Sequence, residues 1–172
     1  MILEDIKAIK ALLNMPKQIV IIPHVNPDGD AIGSILGLAH YLQLKGQSPY
    51  VIVPNAFPDF LSWIPGVESI TIFDQAVDTA STLIANADVI FTLDFNALHR
   101  TGAAEDALIA SKAIKIMIDH HQSPEPYATY MYSDVSMSST CEMVYHFIAM
   151  LGDSTAINSA IATALYLSLI HI

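Results

Sequence analysis

The sequence predicts an α/β fold of Rossmann-like type: three layers, α/β/α, around a mostly parallel sheet of about five strands. Two observations carry that expectation. Strand-like and helix-like runs alternate along the whole chain, the order that calls for parallel pairing with helical crossovers. The strand-like runs are apolar without period-two alternation, as strands buried on both faces are. At 172 residues, with 53% hydrophobic and 14% charged, the chain holds enough apolar material for one domain. It is no disordered or fibrous sequence.

Taken in order, Ile2, Ile6, Ile9 and Leu13 recur at helical spacing and Pro16 closes that segment. Residues 18–23 (QIVIIP) form a β-branched run, the first strand. Residues 31–45 are helical, with Ile32, Ile35, Leu36, Ala39 and Leu42 on one stripe and Gly46 just past the end. Residues 50–53 are the next strand, followed by a loop rich in proline and aromatics over 54–66. Residues 69–73 read as a short strand and 77–85 as a helix. Residues 88–93 and 113–118 are two further buried strands, with a helix near 103–111 between them. Helices over 138–151 and 155–170 complete the chain. There is no internal repeat or linker.

Seven Lys and Arg against seventeen Asp and Glu give a net charge of −10. Gripping duplex nucleic acid needs a cationic surplus that this chain lacks. A short anionic substrate stays open if metal ions bring the positive charge. The single cysteine, Cys141, has no internal disulfide partner, which fits a reducing compartment. No apolar run reaches the ~18–20 residues of a membrane span, and the amino terminus lacks a signal-peptide core. The expectation is a cytoplasmic protein without a membrane partner. Apolar residues on the last helix leave homo-oligomerisation open.

The residues that carry chemistry stand directly after the strands. After residues 18–23 come His24, Asn26, Asp28 and Asp30; after 88–93 comes Asp94; after 113–118 come Asp119, His120 and His121. Parallel strands put their carboxyl ends on one edge, so the fold gathers these residues. Any one Asp there is ordinarily a helix cap or turn former, and a His pair packs well in a core or on a surface. Three clusters of the same chemistry go beyond capping, which has no use for His24 and His120. Imidazoles with carboxylates suit Mn²⁺, Mg²⁺ or Zn²⁺. Asp28 and Asp30, on either side of Gly29, can face two neighbouring ions, and paired ions can clamp a phosphoryl group for in-line attack. Gly33 and Ser34 are expected to open the following helix, its amides toward an anion.

His24-x-Asn26-x-Asp28-x-Asp30-Ala-x-Gly33-Ser34, Asp94 with Arg100 and Gly102, and Asp119-His120-His121 resemble motifs I, II and III of the DHH phosphoesterases. Within them, Ser138-Ser139-Thr140-Cys141-Glu142 is most similar to the nanoRNase/pAp phosphatase (NrnA-type) group. The resemblance runs from about residue 19 to 167. It implies two divalent ions, Mn²⁺ before Mg²⁺: one held by His24, Asp28 and Asp94, the other by Asp30, Asp94 and His120, with Asp94 bridging. His121 would orient or protonate near the substrate phosphate, with Asp119 behind it fixing imidazole orientation. Arg100, Asn26, Ser138 and Ser139 would contact substrate. Their alternatives are a surface arginine, a turn former and helix caps. Cys141, His40, His99 and His146 receive no role, and Phe57, Phe60 and Trp63 either pack the loop or stack a base.

The implied reaction is hydrolysis of phosphate esters in short oligonucleotides, linear dinucleotides or pAp-like nucleotides by a hydroxide that two metals activate. A manganese inorganic pyrophosphatase shares the His-x-x-x-Asp-x-Asp and DHH pattern, and a weakly catalytic metal- or nucleotide-binding module is the remaining alternative. The family's fourth metal-binding Asp is missing from residues 168–172, as is its associated second domain. The expectation is therefore a single DHH domain over 1–172, cut before the fourth motif, with the native status of residues 168–172 left open and His171 no substitute ligand.

Overall fold

The computed structural model describes residues 2–170. Helix α1 (Leu3–Leu13) leads into strand β1 (Ile19–Ile22), helix α2 (Gly29–Leu44) and strand β2 (Tyr50–Val53). Then come β3 (Thr71–Ile72), α3 (Val77–Ala85), β4 (Val89–Leu93), α4 (Glu105–Ala110), β5 (Ile114–Asp119) and β6 (Tyr130–Ser133). Helices α5 (Thr140–Met150) and α6 (Ser159–Ile170) complete it. The six strands pair in the order β3-β2-β1-β4-β5-β6, and every pairing is parallel.

Alternate strand residues feed two separate cores. Ile19, Ile21, Phe91, Leu93, Ile116 and Ile118 pack under residues of α1, α2, α5 and α6. Val20, Ile22, Ile52 and Ile90 pack on the opposite face with residues of α3 and α4. Both faces are covered, which is why the strands carry no polar alternation. The three-layer expectation holds.

Several boundaries differ from expectation for physical reasons. The sheet has six strands, not about five. The strand over 130–133 (YMYS) lies on the sheet edge and is only partly buried, so it has no apolar run to announce it. Helix α2 begins at Gly29 rather than 31, because the Asp28 side chain accepts hydrogen bonds from the N–H groups of Asp30 and Ala31. The helix expected near 103–111 is a 3₁₀ segment over Leu98–Ala104, broken at Gly102 with φ 56°, and then α4. The last helix starts at Ser159, where Asn158 Oδ1 accepts from Ile161 N–H.

Gly33 does not open a helix. It lies a full turn into α2 where α2 packs tightly against α6, and Ser34 is buried with its hydroxyl donating to the Ala31 carbonyl. A Cβ at position 33 would stand 2.5 Å from the Ala164 carbonyl oxygen and 2.9 Å from Cys141 Sγ. Backbone cannot yield as a flexible side chain can. Gly33→Ala is therefore expected to cost about 1–3 kcal/mol. Thermal denaturation would read this as a melting point lower by several degrees, and an unchanged midpoint would mean the two helices can separate freely.

Candidate metal centre

The sheet order reverses direction between β1 and β4: the chain winds outward from β1 to one side and from β4 to the other. Such a switch point opens a crevice at the strands' carboxyl ends. His24 follows β1 and Asp94 follows β4, and His24 Nε2 lies 3.4 Å from Asp94 Oδ2. Asp119 ends β5, with His120 and His121 directly after it. The three sequence clusters meet in one cleft of about 410 Å³.

Asp94 is the hub. It is 2% exposed and has φ 66°, a left-handed conformation that Asp adopts more readily than most residues. Its N–H donates to the Ile118 carbonyl, and its Oδ1 accepts from the Thr140 hydroxyl at 2.8 Å. His120 Nε2 is 3.6 Å from the same Oδ1. Burial alone would raise the Asp94 pKa. The hydrogen bond and charge of His24, the Thr140 hydroxyl and the charge of His121 reverse that, holding it below the ordinary carboxylate value.

Each of the three cleft histidines is oriented through Nδ1. His24 Nδ1 donates to the Val25 carbonyl at 2.8 Å and His120 Nδ1 to the Met137 carbonyl at 3.3 Å. His121 Nδ1 donates to Asp119 Oδ1 at 2.7 Å. In His24 and His120 this leaves Nε2 as the ring nitrogen that faces the carboxylates, the arrangement by which outer partners set metal-binding imidazoles. Asp119 itself is fully buried, and its Oδ2 has no hydrogen-bond partner among the described residues. Burial opposes the charge of His24, but Asp94, the Val25 carbonyl and Asp28 outweigh it, so its pKa rises.

Asp28 and Asp30 are placed differently from each other. Asp28 caps the helix through Oδ1 alone. Asp30 directs both oxygens at the start of α5: Oδ2 accepts from Thr140 N–H at 2.8 Å and Oδ1 from Cys141 N–H at 2.9 Å. His120 Nε2 lies 3.7 Å from Asp30 Oδ2. Burial and the nearby charge of Asp94 raise the Asp30 pKa, against the pull of the two N–H groups.

The donor set fits divalent cations. His24, Asp28 and Asp94 offer ligand atoms within 4.8 Å of one another, and so do Asp94, His120 and His121. Asp94 belongs to both groups. Four carboxylates stand in or beside a cleft where, of the lining residues, only Arg100 carries a fixed positive charge. The resulting excess of negative charge is what oxygen-preferring ions relieve.

The other expected residues divide. Arg100 is exposed and lines the cleft, while its carbonyl accepts from Val25 N–H at 2.7 Å. Ser138 also lines it, but its hydroxyl and N–H both donate to Glu142 Oε2. Ser139 is buried and caps α5 by accepting from Glu142 N–H, so it does not present a hydroxyl to the cleft. Asn26 is committed to Asn55 through both its N–H and its amide oxygen. Cys141 is buried, and burial pushes its thiol pKa well up. His40 bonds the Pro65 carbonyl, and His146 lies 3.9 Å from Glu142. Phe57 packs on the main core, whereas Phe60 and Trp63 are exposed. His171 lies outside the described residues.

Sequence reasoning put Thr140 in a capping run whose hydroxyls could face the site, without naming Asp94 as its partner, and gave Asn55 no place at all. The Ser-Ser-Thr run was the only signal for the first. For the second there was none.

The family description DHH family, N-terminal domain, matches residues 18–169. The chain belongs to the DHH family. Among DHH relatives, a Bifunctional oligoribonuclease and PAP phosphatase NrnA of Thermus thermophilus is 31% identical over 137 residues, 78% of this chain and 37% of that protein. A Cyclic-di-AMP phosphodiesterase PdeA of Listeria monocytogenes is 23% identical over 165 residues, 92% of this chain and 25% of that one. The chain thus spans well under half the length of these curated relatives. The crystal structure of an exopolyphosphatase-related protein from Bacteroides fragilis superposes with a TM-score of 0.94 at 43% identity, covering 98% of this chain and 49% of that one. RecJ of Thermus thermophilus, solved in complex with Mn²⁺, shares the fold at a TM-score of 0.59 and 14% identity, over 98% of this chain and 24% of its own. Among the described residues, no helix is long and apolar enough to cross a membrane.

Proposed function

We propose that the chain carries the hydrolytic centre of a metal-dependent phosphoesterase acting on short nucleotide phosphoesters: oligonucleotides, linear dinucleotides or pAp-like nucleotides. The observation that carries this reading is the pair of ligand groups sharing Asp94. DHH membership and the names of the NrnA and PdeA relatives support it.

His24, Asp28 and Asp94 would hold one cation, and Asp94 with His120 the other, completed by Asp30 or His121. Mn²⁺ suits the mixed imidazole and carboxylate set, with Mg²⁺ as the second choice. When bound, two such ions would supply positive charge for phosphoryl oxygens and make a bound water more acidic. The protein's own part is positional. Val25 and Met137 aim two imidazoles inward through their carbonyls, and Thr140 fixes Asp94. Asp119 holds the His121 ring so that Nε2 can bond a substrate oxygen or move a proton to or from it. Arg100 offers a planar fork to a phosphate at the cleft edge.

The two cation positions are unequal. In the first, Asp28 accepts its two backbone N–H groups through Oδ1 alone, whereas in the second Asp30 has both oxygens engaged by backbone N–H groups. Calorimetric titration with Mn²⁺ is expected to give two ions, one bound more tightly. The loaded chain is expected to hydrolyse a short RNA dinucleotide or pAp in preference to pyrophosphate. Preference for pyrophosphate would move the reading to an inorganic pyrophosphatase. Two bound ions with no hydrolysis of any of the three would favour a binding module instead.

A further inference from the structure

We infer that Asn55 is a positioning residue for the first cation site, acting through an amide clamp on Asn26 that sets the shape of the loop between His24 and Asp28. The inference rests on the proposed ligand role of those two residues.

For His24 and Asp28 to face one ion, the chain must turn back within four residues. It does so at Asn26, whose φ is 55°. This left-handed conformation is uncommon outside glycine, though asparagine adopts it more readily than most residues. Asn55, two residues past β2, meets it with both ends of its amide. Asn26 N–H donates to Asn55 Oδ1 at 2.6 Å, and Asn55 Nδ2 donates to Asn26 Oδ1 at 2.8 Å. Asn55 Nδ2 also reaches the Ala56 carbonyl at 3.3 Å, which fixes which end of the amide points where.

From the other side, Val25 N–H donates to the Arg100 carbonyl at 2.7 Å. The loop is thus gripped from β2 on one flank and from the segment after β4 on the other. Proline at position 27 has no N–H to place. Asn55 does not line the cleft, and its amide is spent on Asn26 and the Ala56 carbonyl, so it acts on a cation only through Asn26. Partners that bond a metal ligand directly govern affinity by about 10–100-fold; Asn55 acts one step further out, on the backbone joining two ligands, so the lower end of that range is expected. Both clamp bonds are solvent-exposed, so their weight in overall stability is small.

That imbalance defines the test. Asn55→Ala is expected to weaken the tighter Mn²⁺ site about 10-fold by calorimetry, leave the second site nearly unchanged, and move the melting point by at most a few degrees. Unchanged affinity, or an equal loss at both sites with a large drop in melting point, would overturn the inference. If the parent chain binds no Mn²⁺, the functional reading fails separately. Amide hydrogen exchange then decides the clamp: lost protection at Asn26 in Asn55→Ala supports it, and unchanged protection overturns it.

Discussion

Asp94→Asn is expected to remove Mn²⁺ binding at both positions while leaving the metal-free fold nearly as stable as before. The loss is double because Asp94 belongs to both ligand groups. Neutralising it takes the shared negative charge from each ion at once. Residues that merely orient a metal ligand cost 10–100-fold in affinity, so a shared ligand should exceed the upper end of that range. The fold tolerates the change for three reasons. Asparagine has the same shape, accepts the left-handed φ of 66°, and can still accept the Thr140 hydroxyl. The charge it removes raises the Asp30 pKa, so its loss relieves that repulsion. It also ends the pairing with His24, which works the other way. With the two effects opposed, the melting point should shift by only a few degrees. One ion bound with parental affinity would show that Asp94 is not shared.

The parallel sheet explains why so much of this site was readable from sequence. Period-free apolar runs marked β1, β4 and β5, and the rule that ligands sit beyond parallel strand ends joined His24, Asp94 and His120 across nearly a hundred residues. Identity of the metal-ligating types did the rest. The features that stayed hidden depend on contacts that no side-chain pattern encodes. The orienting partners of His24 and His120 are main-chain carbonyls, of Val25 and Met137, which any residue type would supply. Asn55 reaches Asn26 across 29 positions with no motif to mark it. Strand β6 escaped notice because an edge strand needs no continuous apolar run.

The same distinction applies to Asp30, where ligand chemistry and structural chemistry share one side chain. Asp30→Asn is expected to lower the melting point by about 4–8 °C and to eliminate the weaker of the two Mn²⁺ ions. Asparagine offers one acceptor oxygen where two are used, and it sets an NH₂ group against either Thr140 N–H or Cys141 N–H. A donor left without an acceptor in a part-buried place costs about 1–3 kcal/mol. Loss of negative charge at the start of α5 adds a few tenths more. Relief of the burial and repulsion that raise the Asp30 pKa returns part of this. The unpaired N–H should outweigh it, leaving roughly 2 kcal/mol, or about 4–8 °C for a chain of this size. The metal effect is separable, because a carboxylate oxygen that accepts one N–H keeps a second lone pair for a cation. His120 Nε2, 3.7 Å from Oδ2, lies on the side where that cation would sit. Two ions still bound in Asp30→Asn, with the melting point lowered, would make Asp30 a brace between α2 and α5. The second ion would then belong to Asp94, His120 and His121.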